Sequence, residues 1–191
     1  MKPYLLLLAF FISSLVQAEP IVKSSFTYYK VYPASKNDLA RAMMEASPIK
    51  ENGRAFMGDT RWHVLWDFKW NKNNNICTIT SANTSLNISY TMPALATDVD
   101  LTEDTRQAFD GYYAALFKHE QEHMYSGLYA AREIEQALLS LGSFERCKRL
   151  EYEANTSAKK ILKKYYERDK EYDKKTDHGR TEGVDFNLFN Q

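Results

Sequence analysis

The feature that most constrains this chain is the run His119-Glu120-Gln121-Glu122-His123. If the run is helical, His119 and His123 lie one turn apart on the same face, where both imidazoles can bind one metal ion. A carboxylate at Glu120 can then accept a proton from water that the metal activates. The pattern therefore predicts a helix that carries two zinc ligands and the general base of a hydrolase.

The surroundings of this run favour a metal site over its alternative, a pair of solvated surface histidines. Two of the chain's four histidines fall on this one helical face. No proline interrupts the following twenty residues, so the helix can continue well past the motif. Aromatic and apolar residues precede the motif at helical spacing: Phe109, Tyr112, Tyr113, Leu116 and Phe117.

The first 18 residues predict a secretory signal peptide. Lys2 supplies the basic start, residues 4–12 form an apolar run, and Val16-Gln17-Ala18 offers the small residues at which such peptides are cleaved. The apolar run is shorter than the roughly 20 residues that span a bilayer, so we expect no stable membrane insertion after cleavage. We expect residues 19–191 to form one exported domain, periplasmic or secreted.

The charge balance argues against a nucleic-acid partner. Lys and Arg together number 25, as do Asp and Glu, so the chain has no excess of positive charge. The aromatic content is the stronger bias, with 13 Tyr and 10 Phe. Such side chains suit a half-exposed core or a groove that binds a peptide or a polymer.

Cys77 and Cys147 are the two cysteines of the chain. Because the chain is predicted to be exported to an oxidising compartment, we expect them to form a disulfide. The bond would close a long loop and stabilise the fold by about 4 kcal/mol. The alternative, a cysteine nucleophile, is disfavoured because neither cysteine has a histidine or a helix start close by in sequence.

The hydrophobic pattern predicts an α+β fold in which a small antiparallel sheet packs on a long helical hairpin. The hairpin carries the H-E-x-x-H run, an arrangement that is zincin-like. Trp62, Trp66 and Trp70 alternate with mostly polar residues, which is typical of a strand with one buried face. The predicted strands are Ile21–Tyr32, Thr60–Trp70 and Ile76–Tyr90, and the predicted helices are Asp38–Ala46, Asp100–Leu141 and Glu145–Thr176.

A catalytic zinc needs a third protein ligand, and several residues can supply it. If the hairpin turns at Gly142 and Ser143, position k faces about position 285 − k, which puts the two histidines opposite Lys163–Glu167. Gly179 permits a turn that returns His178 to the metal, so His178 is the first candidate. The alternatives are carboxylates, first Glu167 or Asp169, and last Glu145, which lies far along the hairpin.

Several motifs of the chain resemble one bacterial family, called domain of unknown function 922 and described as predicted secreted zinc-dependent proteases. The resemblance covers most of residues 19–191 and implies a bacterial periplasmic or secreted protein with a zinc site. It also raises His178 as a ligand or site residue. The residues that carry it are the export signal, Thr60-Arg61-Trp62, Cys77, the H-E-x-x-H run, and Tyr172-Asp173-Lys174-Lys175-Thr176-Asp177-His178-Gly179.

These patterns lead to the hypothesis of a zinc metallopeptidase that acts on a peptide or protein. Zinc is expected on His119, His123 and His178, with Glu120 as general base. Tyr172 or Arg180 can supply a donor to the oxyanion of the transition state, or each can serve packing or ion pairing instead. The alternatives are a non-catalytic envelope binding or assembly module, with a structural metal or none, and a zinc amidase that acts on the cell wall.

Overall fold

The computed structural model of the chain describes residues 19–51 and 53–188. The predicted signal peptide, residues 1–18, lies outside the described residues. Within the described part, none of the helices has both the length and the apolar character that a membrane crossing requires.

The described residues form a mixed fold of a four-stranded main sheet, a separate two-stranded hairpin and three α-helices, with short 3-10 turns. The strands are β1 (Ile21–Val31), β2 (Ile49–Glu51), β3 (Arg54–Phe56), β4 (Asp59–Asn73), β5 (Ile76–Leu95) and β6 (Ser143–Phe144). The helices are α1 (Leu39–Ala46), α2 (Glu103–Leu139) and α3 (Cys147–Thr176).

The main sheet is mixed, not antiparallel as the sequence predicted. Its order is β1-β5-β4, with β6 added to the start of β5. β4 and β5 form the predicted antiparallel hairpin, whereas β1 lies parallel to β5, with Ile21 opposite Ser85 and Val31 opposite Leu95. The long connection after β1, which contains α1 and a small β2–β3 hairpin, carries the chain across to the far side of β5. β1 and β4 can therefore occupy opposite edges of the sheet.

Helix α2 covers the apolar face of the sheet and supplies more of the buried core than α1 or α3 does. Alternate residues of β4 and β5 point toward it, including Trp62, Val64, Leu86 and Ile88, which are all buried. Gly127 permits the close approach of helix and sheet, because a Cβ atom there would lie 2.8 Å from the Trp62 ring. Trp62 is thereby fixed one helical turn from His123.

Helix α3 lies along β4 and is held there by three tryptophans. The indole N–H groups of the three donate to polar side chains of α3, as Trp62 to Asp169, Trp66 to Asn155 and Trp70 to Glu151. The eight residues from Trp62 to Trp70 span about 26 Å of strand. The 18 helical positions from Glu151 to Asp169 span about 27 Å, so the two elements match in length.

The predicted disulfide is confirmed. Cys77, at the start of β5, is bonded to Cys147, the first residue of α3, with 5.3 Å between their Cα atoms. The bond anchors the N-terminal end of α3 to the sheet, whereas Asp169, the partner of Trp62, lies near the opposite end of that helix.

Candidate metal centre

Two imidazoles and one carboxylate converge on a single point between α2 and α3. The Nε2 atoms of His119 and His123 lie 3.2 Å and 3.0 Å from the same oxygen, Oδ1 of Asp173. The candidate ligand atoms of the three residues all lie within 4.8 Å of one another. Both histidine side chains are almost completely buried. The group therefore has the composition and spacing of a three-ligand metal site.

Each histidine also has a carboxylate on its other ring nitrogen. Nδ1 of His119 lies 3.2 Å from Oε2 of Glu182, and Nδ1 of His123 lies 3.4 Å from Oδ1 of Asp169. In metalloproteins such carboxylates accept a hydrogen bond from the Nδ1–H group and so fix the tautomer in which Nε2 binds the metal. Both rings are thus oriented for coordination through Nε2.

Further contacts hold the two orienting carboxylates. The Trp62 indole donates to Oδ2 of Asp169 at 2.6 Å, and the Tyr172 hydroxyl donates to Oε2 of Glu182 at 2.5 Å. The Tyr172 ring also stacks on His119, with 4.9 Å between the ring centroids. Helix α3, strand β4 and the tail after α3 therefore all contribute to the position of the two histidines.

Glu120 is buried beside the histidines but is not one of the converging ligands. Its side chain is only 4% exposed, and its Oε2 accepts a hydrogen bond of 2.7 Å from the Thr60 hydroxyl. Burial raises the pKa of Glu120, against the hydrogen bond from Thr60 and the nearby histidines, which lower it. The second oxygen, Oε1, faces Gly58, where a Cβ atom would come within 2.6 Å of it.

The charges around the two rings favour a cation. Burial lowers the pKa of His123, but the carboxylates of Asp169 and Asp173 beside its two ring nitrogens outweigh this effect and raise that pKa to about 10. Burial has the opposite effect on a carboxyl group and raises the pKa of Asp173. The two histidines outweigh this effect and lower the pKa of Asp173 well below its usual range. Carboxylates thus surround the imidazoles, and a bound metal would supply the positive charge that protons otherwise provide.

The structure places His178 beside the converging group and not within it. Its ring packs edge-on against Phe56, with 4.8 Å between centroids, and its Nδ1 is 4.0 Å from Oδ1 of Asp173. The side chain is 38% exposed. Within the described residues, the group that could hold a metal consists of His119, His123 and Asp173. His178 is close enough to reach a substrate at the centre.

The other predicted candidates have different positions. Asp169 orients His123 at Nδ1, and Glu167 forms an ion pair with Lys170 at 3.2 Å. Arg180 forms an ion pair with Asp177, and Glu145 is exposed in the connection before α3.

Asp173 was missed because the register of the two helices differs from the predicted one. The observed pairs, His119 with Asp173 and His123 with Asp169, have position numbers that add to 292. This is about seven residues, or two helical turns, beyond the predicted register. The connection holds the short strand β6, and α3 begins at Cys147, later than the predicted Glu145. These extra residues move the centre of the turn along the chain.

Thr60, Trp62 and Glu182 were also missed as site residues. Thr60 and Trp62 belong to the Thr60-Arg61-Trp62 run that opens the aromatic strand, and this run was the available signal. Alternation along β4 directs both side chains to the face that meets α2, where one contacts Glu120 and the other Asp169. Glu182 had no signal, because only the turn after α3 brings it back to His119.

That turn depends on glycine at position 179. Asp177, His178 and Gly179 all have positive φ values, of 51°, 51° and 82°. A Cβ atom on Gly179 would lie 2.9 Å from Cγ of His119, so the backbone passes directly over the imidazole. The tail continues to Phe186, which stacks on Tyr112 of α2 at 4.1 Å.

The centre opens into a large groove with a volume of about 1880 Å³. One wall is the β2–β3 hairpin and the start of β4, and the other is α3 from Lys159 to Asp173. Both metal-facing histidines and Glu120 line the groove. A substrate in the groove can therefore reach the converging atoms.

Comparison with models of protein families matches residues 26–179 to a family described as "Bacterial protein of unknown function (DUF922)". The match covers most of the chain. The chain belongs to this family. Thr60-Arg61-Trp62, the H-E-x-x-H run and the run from Tyr172 to Gly179 all lie inside the part that matches DUF922, whereas Glu182 follows it. Searches of the curated proteins and of the solved structures returned no match.

Proposed function

We propose that this DUF922 protein is a zincin-like, zinc-dependent peptidase that acts in the periplasm or outside the cell. His119, His123 and Asp173 hold the metal, and Glu120 is the general base. One observation carries the proposal. The Nε2 atoms of both histidines point at the same oxygen of Asp173, while each Nδ1 atom faces a carboxylate of its own, Glu182 or Asp169.

The donor set fits zinc. Two histidines and one carboxylate form a common set of protein ligands for catalytic zinc, and they leave a fourth position free. Bound zinc supplies Lewis-acid activation of a water molecule and of a substrate carbonyl. The same set suits iron in some oxygenases, but a buried carboxylate next to the ligands, as Glu120 is, favours hydrolysis.

Glu120 is suited to proton transfer by its surroundings. Thr60 holds Oε2 in place, so Oε1 remains to accept the proton of the attacking water. Burial raises the pKa of Glu120 toward the range in which a carboxylate can take up a proton and return it. Glu120 then passes this proton to the leaving amine as the peptide bond breaks.

The oxyanion of the transition state needs a donor from the protein, and His178 is in the best position. The Tyr172 hydroxyl, a predicted donor, already donates to Glu182, and the Arg180 guanidinium is paired with Asp177. His178 lines the groove, is partly exposed, and lies next to Asp173. We therefore assign Tyr172 to positioning Glu182 and His178 to the substrate.

The proposal is tested with the purified chain, residues 19–191, after dialysis against trace zinc. We expect one equivalent of zinc, cleavage of casein or a peptide library by the wild type, and no cleavage by Glu120→Gln with its zinc retained. Iron in place of zinc would overturn the proposal. Absence of a bound metal would favour the envelope binding module, and hydrolysis of cell-wall crosslinks without peptide cleavage would favour the amidase.

A further inference from the structure

We propose that the groove binds an extended polypeptide whose acidic side chains contact Lys159 and Lys163, four to six residues from the bond that is cleaved. This inference rests on the proposed peptidase function and names the substrate class of that site. It starts from the shape of the groove, which follows α3 for 14 residues from Asp173 back to Lys159. That stretch of helix is about 21 Å long, more than a small amide substrate needs.

Lys159 and Lys163 lie one turn apart on the face of α3 that lines the groove. Both residues are exposed, and no ion pair to either is found among residues 19–51 and 53–188. Lys164, their neighbour in sequence, differs in this respect because it is paired with Glu133 at 2.6 Å and does not line the groove. The two lysines are thus free to contact a ligand.

Most acidic groups that line the groove already have partners, and Glu120, Asp169 and Asp173 belong to the candidate metal centre. Asp59, Glu167 and Asp177 each form an ion pair, with Arg61, Lys170 and Arg180 respectively. Asp185 accepts hydrogen bonds from Asn187 in the tail. Glu51 lines a small pocket beside Asp177 and His178, at the C-terminal end of α3. Glu167, one turn from Lys163, is the carboxylate nearest to this arm of the groove, and it is paired with Lys170, so the arm next to Lys159 and Lys163 carries a net positive charge.

An apolar surface separates these lysines from the metal centre. Leu162 and Tyr166 line the groove between them, and the Tyr166 ring stacks on Trp62 with 4.3 Å between centroids. A polypeptide can rest an apolar residue on this surface and extend acidic side chains to the lysines beyond it. A substrate with charge at every position is a poorer match.

The distances set the spacing of the acidic residues. The converging ligand atoms lie beside α3 between Asp169 and Asp173, so Lys163 lies about 12 Å and Lys159 about 18 Å from them along the helix. An extended polypeptide rises about 3.3 Å per residue. The lysines therefore lie about four and about five to six residues from the reacting bond.

Binding is measured apart from turnover, with zinc-loaded Glu120→Gln protein and fluorescent 12-residue peptides. One peptide carries a central apolar residue and two Glu residues at the stated spacing, and a matched peptide carries Gln in place of Glu. At low ionic strength we expect the acidic peptide to bind about tenfold more tightly, with the advantage lost in high salt. Lys159→Gln with Lys163→Gln should remove the advantage, whereas the control pair Lys148→Gln with Lys160→Gln, on the same helix outside the groove, should not.

Charge reversal provides the second arm. Lys159→Glu with Lys163→Glu should make a Lys-containing peptide the tighter ligand. Equal binding of acidic and neutral peptides by the parent protein, together with unchanged cleavage of both by the lysine variants, would overturn the inference while leaving the peptidase intact. Lysine-dependent binding of the acidic peptide with no cleavage by wild type would instead overturn the peptidase and keep the groove. A polyanionic glycan that binds as tightly as the acidic peptide would overturn the choice of a polypeptide.

Discussion

The two histidines of the candidate metal centre are positioned by residues outside the converging group. Glu182 and Asp169 each face an Nδ1 atom, and Tyr172 and Trp62 hold these carboxylates in turn. A histidine whose far nitrogen loses its carboxylate can rotate or change tautomer, and its basicity falls. The affinity for zinc should therefore depend on residues well outside the H-E-x-x-H run.

Glu182→Gln tests this dependence. We expect the affinity for zinc to fall about 10- to 100-fold, because the neutral amide no longer stabilises the Nδ1 proton of His119. Competition with a fluorescent zinc chelator measures the change. Glu171→Gln, an exposed position on α3, is the control and should leave the affinity unaltered. Equal affinities in the two variants would contradict the role of Glu182.

The division of roles between Asp173 and His178 gives a second prediction. Asp173→Asn should lose bound zinc, since its Oδ1 is the point on which both Nε2 atoms converge. His178→Gln should keep one equivalent of zinc and lose about 100-fold in kcat, the cost of removing an oxyanion donor. Metal analysis beside steady-state kinetics separates the two. Loss of zinc from His178→Gln would instead make His178 the third ligand.

Gly58 packs directly against the carboxylate of Glu120. An added methyl group would meet Oε1 of Glu120 at 2.6 Å, while the backbone there lies outside the left-handed region. We expect Gly58→Ala to displace the carboxylate and lower kcat about tenfold or more while zinc is retained, with a fall in Tm because the methyl group would also lie 3.0 Å from the buried Leu116. A fall in Tm with normal kcat in the remaining folded enzyme would show that the methyl group is accommodated elsewhere.

At the scale of elements, local patterns predicted the helices and strands, but their mutual arrangement needed distant residues. The alternation around Trp62, Trp66 and Trp70 identified β4, because a strand with one buried face places apolar residues at every second position. The parallel pairing of β1 depends on a long connection that carries no such pattern. The register of α2 and α3 depends on the few residues of β6. Because the sequence did not show where the turn between the helices is centred, the predicted partner of His119 was two turns away from the observed one.

The close approach of α2 to the sheet depends on the absence of a side chain at Gly127. A Cβ atom on Gly127 would lie 2.8 Å from Cγ of Trp62 and 2.9 Å from Cδ1 of Leu86. We expect Gly127→Ala to lower the free energy of unfolding by about 1–3 kcal/mol, because the packed interface must shift. Urea denaturation measures the change. In a double-mutant cycle, Leu86→Ala should make room for the added methyl group. The double variant should therefore lose less free energy of unfolding than the two single variants lose in total.

For the whole molecule, two separate devices hold α3 in place, and they act at opposite ends. The disulfide to Cys77 fixes the end at Cys147, and the contacts of His119 and His123 tie Asp173 to α2 near the other end. The tryptophans of β4 connect the two along the helix. From Cys147 to Asp173 the helix covers about 39 Å, so the two devices share no contacts.

This separation predicts that zinc and the disulfide stabilise the fold independently. Reduction opens a loop of 70 residues and should lower the free energy of unfolding by about 4 kcal/mol. Free zinc at 100 times its Kd should raise it by about 2.7 kcal/mol in the oxidised protein and by the same amount in the reduced protein. Urea titrations of the four states, each with free zinc buffered, measure both increments. If reduction weakened zinc binding in the folded protein, α3 would have to shift along β4 when its first turn is released, and the tryptophan contacts would not suffice to hold Asp169 and Asp173 against the histidines.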